Sequence, residues 1–367
     1  MESVSNLFRT REPSAPTLTL KAFPMGRICT VLFAALVMIL SVSPAHGADR
    51  AATSTKAILA YYESSGSYAA LVHYAPALNE IATDTFGVDD QGNISGYAPK
   101  AALKAAHSRS MATFATVSNF GTSDFSPHIA HLVLTVPKVR ARAIQGMLRL
   151  VKDSGYSGVN IDFEAIPRTD RDAFSSFVRT VSRRMHANGY LNVVSIPAEL
   201  KDDRYDSWTG AFDFKALGEA VDIFQLMTYD ENGPWGPTGP VAGLDWVEAC
   251  VRFTVTVVPP GKISLGIPAY GYDWNLKAGT GKQVHWKDIP ALIASTGATP
   301  QWDTGTSSPF FSYQTEKGAN HVVWYEDATS IPLKSALVLT YNLAGVSVFA
   351  LGFEDQGFWD AVHAGGF

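Results

Sequence analysis

The sequence predicts a (β/α)8 barrel, in which eight parallel strands alternate with helices around one core. Short β-rich runs alternate along the chain with longer amphipathic stretches, an order that is typical of a parallel sheet. The chain has 367 residues, and α/β barrels commonly reach this size as a single domain. Polar side chains also occur where several predicted strands end, which is where barrels of this class carry their sites.

Eight runs are predicted to form the barrel strands, and eight such runs imply a closed barrel. In chain order they are Ala57–Tyr62, Leu78–Asp84, Thr113–Asn119, Gly158–Phe163, Leu191–Pro197, Asp222–Thr228, Lys262–Pro268 and Val346–Leu351. Amphipathic helices are predicted at Ser126–Lys152, before the fourth strand, and at Asp170–Asn188, after it.

The segment 273–327 fits no single strand–helix unit, so we interpret it as a small insertion after the seventh strand. It carries aromatic side chains among polar turns: Trp274, Trp286, Trp302, Phe310, Phe311, Tyr313, Trp324 and Tyr325. The insertion either walls a cleft at the barrel mouth or is a surface excursion. Both alternatives are consistent with its composition.

The first part of the chain is typical of an export signal. Met25–Arg27 opens it with a positive charge, Ile28–Val42 is apolar, and Ser43–Ala48 supplies small residues for cleavage. We therefore predict a leader and signal peptide at residues 1–47, a barrel at 48–367, and a secreted or periplasmic protein without a stable membrane anchor after cleavage. The alternative, an uncleaved anchor, is disfavoured because the apolar run is shorter than the ~20 residues of a spanning helix.

Charge and composition argue against several partner classes. The net charge is −5 and no long basic run occurs, so nucleic acid is not expected as a partner. Of the two cysteines, Cys29 lies in the predicted signal, which leaves Cys250 as a buried, inert thiol in a helical stretch. The nine histidines are scattered, without the spacing of a zinc site. We expect no metal, no cofactor and a monomer.

The most informative segment is Ser157–Glu164, within the predicted fourth strand. Because side chains alternate along a strand, Asn160, Asp162 and Glu164 share one face, and the apolar residues between them share the other. The Cα atoms of Asp162 and Glu164 would lie roughly 6.5 to 7 Å apart, close enough for one negative charge to raise the pKa of the other group. Such a pair can keep one carboxyl protonated as a general acid near neutral pH.

This segment resembles the signature of the family-18 glycoside hydrolases, the chitinase-like enzymes, whose fourth strand carries Asp-Gly-x-Asp-x-Asp-x-Glu. Gly158, Asp162 and Glu164 match the signature, whereas Ser157 and Asn160 stand where the family usually has Asp. The wording Gly-Val-Asn-Ile-Asp-Phe-Glu is most similar to the bacterial spore-cortex and peptidoglycan-lytic branch.

Two further segments match in the same order along the chain. Gln225–Glu231 resembles the family's sixth-strand Met-x-Tyr-Asp motif, and Gly345–Gly352 resembles its eighth strand. The three matches together cover residues 57 to 360, so the resemblance implies the whole barrel. It also implies the family's substrate class, a glycan that contains N-acetylglucosamine.

The resemblance implies a role for each matched residue. Glu164 would protonate the leaving oxygen and then activate water, while Asp162 would orient the substrate's 2-acetamido group, which itself attacks the anomeric carbon. Tyr229 would donate a hydrogen bond to the acetamide oxygen. Asp230 and Met227, in the sixth-strand motif, are assigned to substrate binding. The competing interpretation of each residue is a structural hydrogen-bond network within the barrel.

Two departures from the family pattern alter the expected site. Asn160 can keep a hydrogen bond to Asp162 but cannot ionise, and Phe349 stands where a larger Trp commonly forms the floor of the sugar subsite. Both are assigned to substrate binding, as is Tyr61 at the end of the first strand. Trp235, in a Gly- and Pro-rich loop after the sixth strand, is either a replacement sugar platform or a loop anchor.

Three functions follow from these assignments. The first is a retaining, substrate-assisted hydrolase of β-linked N-acetylglucosamine in peptidoglycan or its fragments. The second is the same chemistry on chitin or chitooligosaccharides. The third is a catalytically weak, sugar-binding chitinase-like lectin, although such proteins usually lose the acid and Glu164 is present.

Overall fold

The computed structural model describes residues 56–367, so the leader and signal peptide predicted at residues 1–47 lie outside the described residues. Its strands, in chain order, are β1 (Ala57–Tyr62), β2 (Glu80–Val88), β3 (Ile94–Gly96), β4 (Ala112–Ser118), β5 (Gly158–Asp162), β6 (Leu191–Pro197), β7 (Ile223–Met227), β8 (Ile263–Pro268), β9 (Tyr270–Asn275), β10 (Thr280–His285), β11 (Gln301–Asp303), β12 (Ser308–Gln314), β13 (Asn320–Trp324) and β14 (Gly345–Phe349). Its helices are α1 (Ser67–Tyr74), α2 (Lys100–His107), α3 (Pro127–Thr135), α4 (Pro137–Ser154), α5 (Arg171–His186), α6 (Phe214–Ala220), α7 (Leu244–Thr254), α8 (Ile289–Thr296), α9 (Ser330–Ser335), α10 (Leu337–Thr340) and α11 (Gln356–His363).

Within the described residues, eight parallel strands close into a barrel. Their order is β1, β2, β4, β5, β6, β7, β8 and β14, and β14 pairs with β1 to complete the ring. The short β3 pairs antiparallel with β2 outside the ring. The predicted fold is therefore confirmed, with two strands, β1 and β6, at their predicted bounds.

One predicted helix is wrong. The structure divides Ser126–Lys152 into α3 and α4, because Pro137 has no N–H to donate and disfavours the helical conformation of the residue before it. Val136 is accordingly extended, with φ −87° and ψ 111°. The Ser126 side chain accepts a hydrogen bond from the Ile129 N–H and so caps the start of α3.

The side chains of the barrel strands separate into an inner and an outer core. On β5, Val159 and Ile161 face the helices, and Phe163, just after the strand, stacks on Phe177 of α5 at 5.7 Å between ring centroids. The inner core is a smaller set inside the barrel: Leu59, Tyr61, Ala82, Phe114, Val193, Ile223 and Ala350. The predicted alternation along β5 is thus present, and its polar face belongs to the barrel interior.

The insertion after the seventh barrel strand is a five-stranded antiparallel sheet. Its strand order is β10, β9, β13, β12, β11, and α8 lies between β10 and β11 in the chain. Only Ala269 separates β9 from the barrel strand β8, so the first residues of the insertion emerge directly at the barrel mouth.

Two further features bear on the expected chemistry. Cys250 lies buried in α7, and burial raises the pKa of its thiol to about 12, which makes it a poor nucleophile. Among residues 56–367, no helix is long and apolar enough to cross a bilayer.

Candidate active site

The predicted site residues lie at one end of the barrel. Asp162 ends β5 and Glu164 follows it by two residues, while Tyr229 and Asp230 follow β7. Phe349 ends β14, the last strand of the ring. Because parallel strands all point the same way, these side chains meet at the carboxyl-end mouth, where barrels of this class carry their sites.

Asn160 lies one layer below the mouth and is fully buried. Its amide donates to the Tyr61 hydroxyl at 3.0 Å and to Ser195 Oγ at 3.1 Å, and its carbonyl accepts from Ser195 Oγ at 3.2 Å. None of these bonds reaches Asp162, so the hydrogen bond expected from Asn160 to Asp162 is not present. Asn160 and Tyr61 instead form a polar layer that supports the site from beneath.

Asp162 is 9% exposed, and its Oδ1 is buried without a hydrogen-bond partner. Burial raises the pKa of this carboxyl well above its ordinary value, and the neighbouring charges of Glu164 and Asp84 raise it further. An ionised carboxylate is costly in this place, so the site favours the protonated form of Asp162 more than water does.

Glu164 is held by its main chain rather than by its side chain. Its N–H donates to Asn119 Oδ1 at 2.9 Å, and Asn119 Nδ2 donates back to the Glu164 carbonyl at 2.9 Å. Burial raises the pKa of the Glu164 carboxyl to about 7, with added contributions from the charges of Asp230, Asp124 and Asp84. A carboxyl that is half protonated near neutral pH is suited to donate and then recover a proton.

Asp230 joins the barrel to the insertion. Its backbone is left-handed, with φ +61°, and its Oδ1 accepts hydrogen bonds from the hydroxyls of Tyr270 and Tyr272, each at 2.7 Å. Burial raises the pKa of Asp230, while the two tyrosine hydrogen bonds lower it. Since both tyrosines belong to β9, the insertion forms a wall of the cleft. This agrees with the first predicted alternative, a wall at the barrel mouth, and not with a surface excursion.

Aromatic rings line the floor beside these carboxyls. The Phe349 ring lies 5.8 Å from that of Tyr61 and 6.0 Å from that of Tyr229, measured between centroids. Burial raises the pKa of Tyr229 well above its ordinary value, so its hydroxyl stays protonated and can donate a hydrogen bond. Met227 is half-buried at the end of β7.

Trp235 stands above this floor on the loop after β7. It is 71% exposed and meets Tyr272 edge-on at 6.0 Å between centroids. A ring that is anchored along one edge and exposed over most of its surface is available to stack on a sugar. The contact with Tyr272 and the exposure are compatible with both the platform and the loop-anchor interpretation, and the platform stays a prediction.

Four residues of the site region were not singled out from the sequence. Tyr270 and Tyr272 contact Asp230, and Asp84 and Glu63 bring two more carboxyls to the mouth from β2 and from the residue after β1. Burial raises the pKa of Glu63 to about 7 and that of Asp84 to about 6. Asp84 is the last residue of the predicted strand Leu78–Asp84. A carboxylate at the end of a barrel strand was the sequence signal that could have identified it.

In the described part of the chain, no group of three or more His, Cys, Asp or Glu side chains is placed so that it could hold a metal ion. The mouth instead gathers carboxyls, tyrosine hydroxyls and aromatic faces. This set can transfer protons and can bind a sugar ring by stacking and hydrogen bonding.

Comparison with known proteins gives consistent matches. Residues 45–354 match the glycosyl hydrolases of family 18. The chain is 38% identical over 302 residues to the uncharacterized glycosylase YvbX of Bacillus subtilis, covering 82% of this chain and 88% of that protein. It is 28% identical over 247 residues to the cortical fragment-lytic enzyme of Bacillus subtilis, covering 66% and 57%. A solved chitinase from Chromobacterium violaceum superposes with a TM-score of 0.82 at 41% identity, covering 85% and 99%.

Proposed function

This chain belongs to the glycosyl hydrolases of family 18, and from that premise we propose that it cleaves β-linked N-acetylglucosamine in peptidoglycan or its fragments, by a retaining, substrate-assisted mechanism. The observation that carries the proposal is the pair of Asp162 and Glu164 at the barrel mouth. Burial raises the pKa of both carboxyls, well above its ordinary value for Asp162 and to about 7 for Glu164. The presence of Glu164 supports hydrolysis over the lectin interpretation, because chitinase-like lectins usually lose the acid.

In the proposed mechanism, Glu164 gives its proton to the glycosidic oxygen as the bond to the anomeric carbon breaks. The carbonyl oxygen of the substrate's 2-acetamido group attacks that carbon from the opposite face and forms an oxazolinium intermediate. Asp162 accepts a hydrogen bond from the acetamide N–H and so orients the acetamide for attack. The Tyr229 hydroxyl donates to the acetamide oxygen.

Water then completes the reaction. Glu164, now ionised, takes a proton from a water molecule that enters on the face left by the leaving group, and the product keeps its β configuration. Asp230, fixed by Tyr270 and Tyr272, is available to bind a sugar hydroxyl next to the reacting centre.

Two glycans compete as the substrate. The likeness to the cortical fragment-lytic enzyme and the smaller Phe349 floor support peptidoglycan. The 41% identity to a structure described as a chitinase supports chitin or chitooligosaccharides as the second candidate. Export, predicted from the leader, would give the enzyme access to either polymer.

Product analysis separates the two candidates. The purified protein is incubated with peptidoglycan glycan fragments, with and without peptide stems, and with chitooligosaccharides, and the new reducing ends are identified by mass spectrometry. We expect N-acetylglucosamine at the new reducing ends of the peptidoglycan fragments, and no products from a Glu164→Gln control. Cleavage of chitooligosaccharides alone would contradict the first proposal and support the second.

Trp235→Ala tests the sugar platform. Removal of an exposed stacking ring is expected to raise KM for an oligosaccharide by roughly 3- to 10-fold, with little change in kcat, because stacking binds ground state and transition state alike. Trp302→Ala is the matched control, since Trp302 is 37% exposed and belongs to β11, at the edge of the insertion sheet away from β9. Equal effects of the two changes would contradict the platform.

A further inference from the structure

Asp84 lies on β2, at the level of Asn160 in the barrel. It pairs with Thr116 on β4, and Thr116 pairs with Asn160 on β5. Asp84 and Asn160 therefore stand at the same height, two strands apart, with Cα atoms roughly 10 Å apart or less at ordinary strand spacing. Ala82, two residues before Asp84, belongs to the inner core, so Asp84 faces the barrel interior as well.

One oxygen of Asp162 has no hydrogen-bond partner, and position 160 on the same strand carries an amide instead of a carboxylate. Asn160 gives its hydrogen bonds to Tyr61, Thr116 and Ser195, and Asp162 Oδ1 has none. The carboxyls whose charges act on Asp162 are Glu164, two residues along the chain, and Asp84 on β2. Asp84 also acts on Glu164, so its charge reaches both members of the pair.

Glu63 stands beside Asp84 toward solvent. Tyr62 pairs with Thr83, which places Glu63 next to Asp84 on the same face of the adjoining strands. Both side chains are half-buried. The titratable groups around Asp84 are therefore Tyr61 and Glu63 on the β1 side and Asp162 and Glu164 on the β5 side, and their interactions with Asp84 raise rather than lower pKa values.

We propose that Asp84 is a positioning residue that keeps the transferable proton on the Asp162–Glu164 pair, in place of a carboxylate at position 160. The inference rests on the proposed function, because the proton in question is the one given to the glycosidic oxygen. An ionised Asp84 makes loss of that proton less favourable, because a second negative charge would then lie in a buried site.

The sign of the expected pH effect follows from this arrangement. Asp84 has a pKa of about 6, so it is ionised where Glu164, with a pKa of about 7, begins to lose its proton. Removing the charge of Asp84 lowers the pKa of Glu164 toward its ordinary value. The alkaline limb of kcat/KM then moves to lower pH, by roughly half a unit to one unit.

The test compares pH profiles of kcat/KM on the glycan that the product analysis shows to be cleaved, a peptidoglycan glycan fragment or a chitooligosaccharide. In both, the leaving group is a sugar hydroxyl whose departure depends on the acid. Asp84→Asn is expected to shift the alkaline limb to lower pH. Asp90→Asn, which changes an exposed carboxylate just beyond the same strand, is the matched control and is expected to leave the profile unchanged. The double variant Asp84→Asn with Asn160→Asp is expected to restore the limb.

Three results would overturn the inference: an Asp84→Asn profile that superimposes on the parent, a loss of activity that is uniform across pH, or a shifted limb that Asn160→Asp does not restore. Asp84→Glu, which keeps the charge, replaces the Asn variant if that variant melts at a lower temperature, and it is expected to keep the limb in place. An inactive parent enzyme would instead count against the proposed function, so the two failures are distinguishable.

Discussion

Glu164→Gln is expected to lower kcat for cleavage of sugar–sugar bonds by roughly 10² to 10⁴-fold. Glutamine keeps the shape and the hydrogen-bonding capacity of the side chain but has no transferable proton. The fold is expected to survive, because Asn119 holds the main chain of residue 164 and not its side chain. The measurement is the rate of reducing-end release, with the melting temperature of the variant beside it.

Two comparisons sharpen this prediction. An aryl glycoside has a good leaving group that needs little protonation, so its cleavage should fall less than that of an oligosaccharide. Glu219→Gln, which changes an exposed glutamate on α6, is the matched control and should retain parental rates. Near-parental turnover of the oligosaccharide by a well-folded Glu164→Gln variant would remove Glu164 from the mechanism.

The sequence predicted the fold well where local pattern decides it. Each barrel strand is a short run bounded by turn residues, and the alternation along Gly158–Asp162 correctly assigned an apolar and a polar face. The helix predicted across Pro137 was wrong because the apolar periodicity continues through the proline, whereas the proline restricts the backbone of Val136 and so ends α3.

The same distinction separates the site residues that the sequence could identify from those that it could not. Asp162 and Glu164 were accessible because they are neighbours in a single segment whose pattern a family signature covers. Asp84 could not be identified from the sequence, because its position relative to Asp162 depends on the register of β2 against β4 and of β4 against β5. Tyr270 and Tyr272 approach Asp230 through the path of the insertion, which no local pattern specifies.

The largest effect is expected when the substrate loses its internal nucleophile. A β-glucoside that carries a 2-hydroxyl in place of the 2-acetamido group should react at least roughly 10³-fold more slowly than the matching N-acetylglucosaminide, because an oriented intramolecular nucleophile contributes heavily to the rate. Asp162 and Tyr229 would then have no acetamide to hold. The comparison uses the same aglycone in both substrates.

Three of the carboxyls near the mouth are poorly suited to act as the nucleophile. Asp230 Oδ1 already accepts two tyrosine hydroxyls, and Glu231 Oε2 accepts the Gly243 N–H at 2.8 Å. Burial raises the pKa of Asp162 well above its ordinary value, which favours the protonated form, and a protonated carboxyl is a poor nucleophile. The acetamide oxygen of the substrate therefore remains the group best placed to attack the anomeric carbon.

The stereochemistry of the first product tests the same step independently. An oxazolinium intermediate blocks one face of the sugar, so water enters from the face that the leaving group vacated, and NMR of the first-formed anomer should show the β configuration before mutarotation. Tyr229→Phe, which removes the hydroxyl offered to the acetamide oxygen, should slow the reaction without changing this outcome. Inverted product, or equal rates on the glucoside and the N-acetylglucosaminide, would show that an enzyme carboxylate or a directly activated water attacks instead.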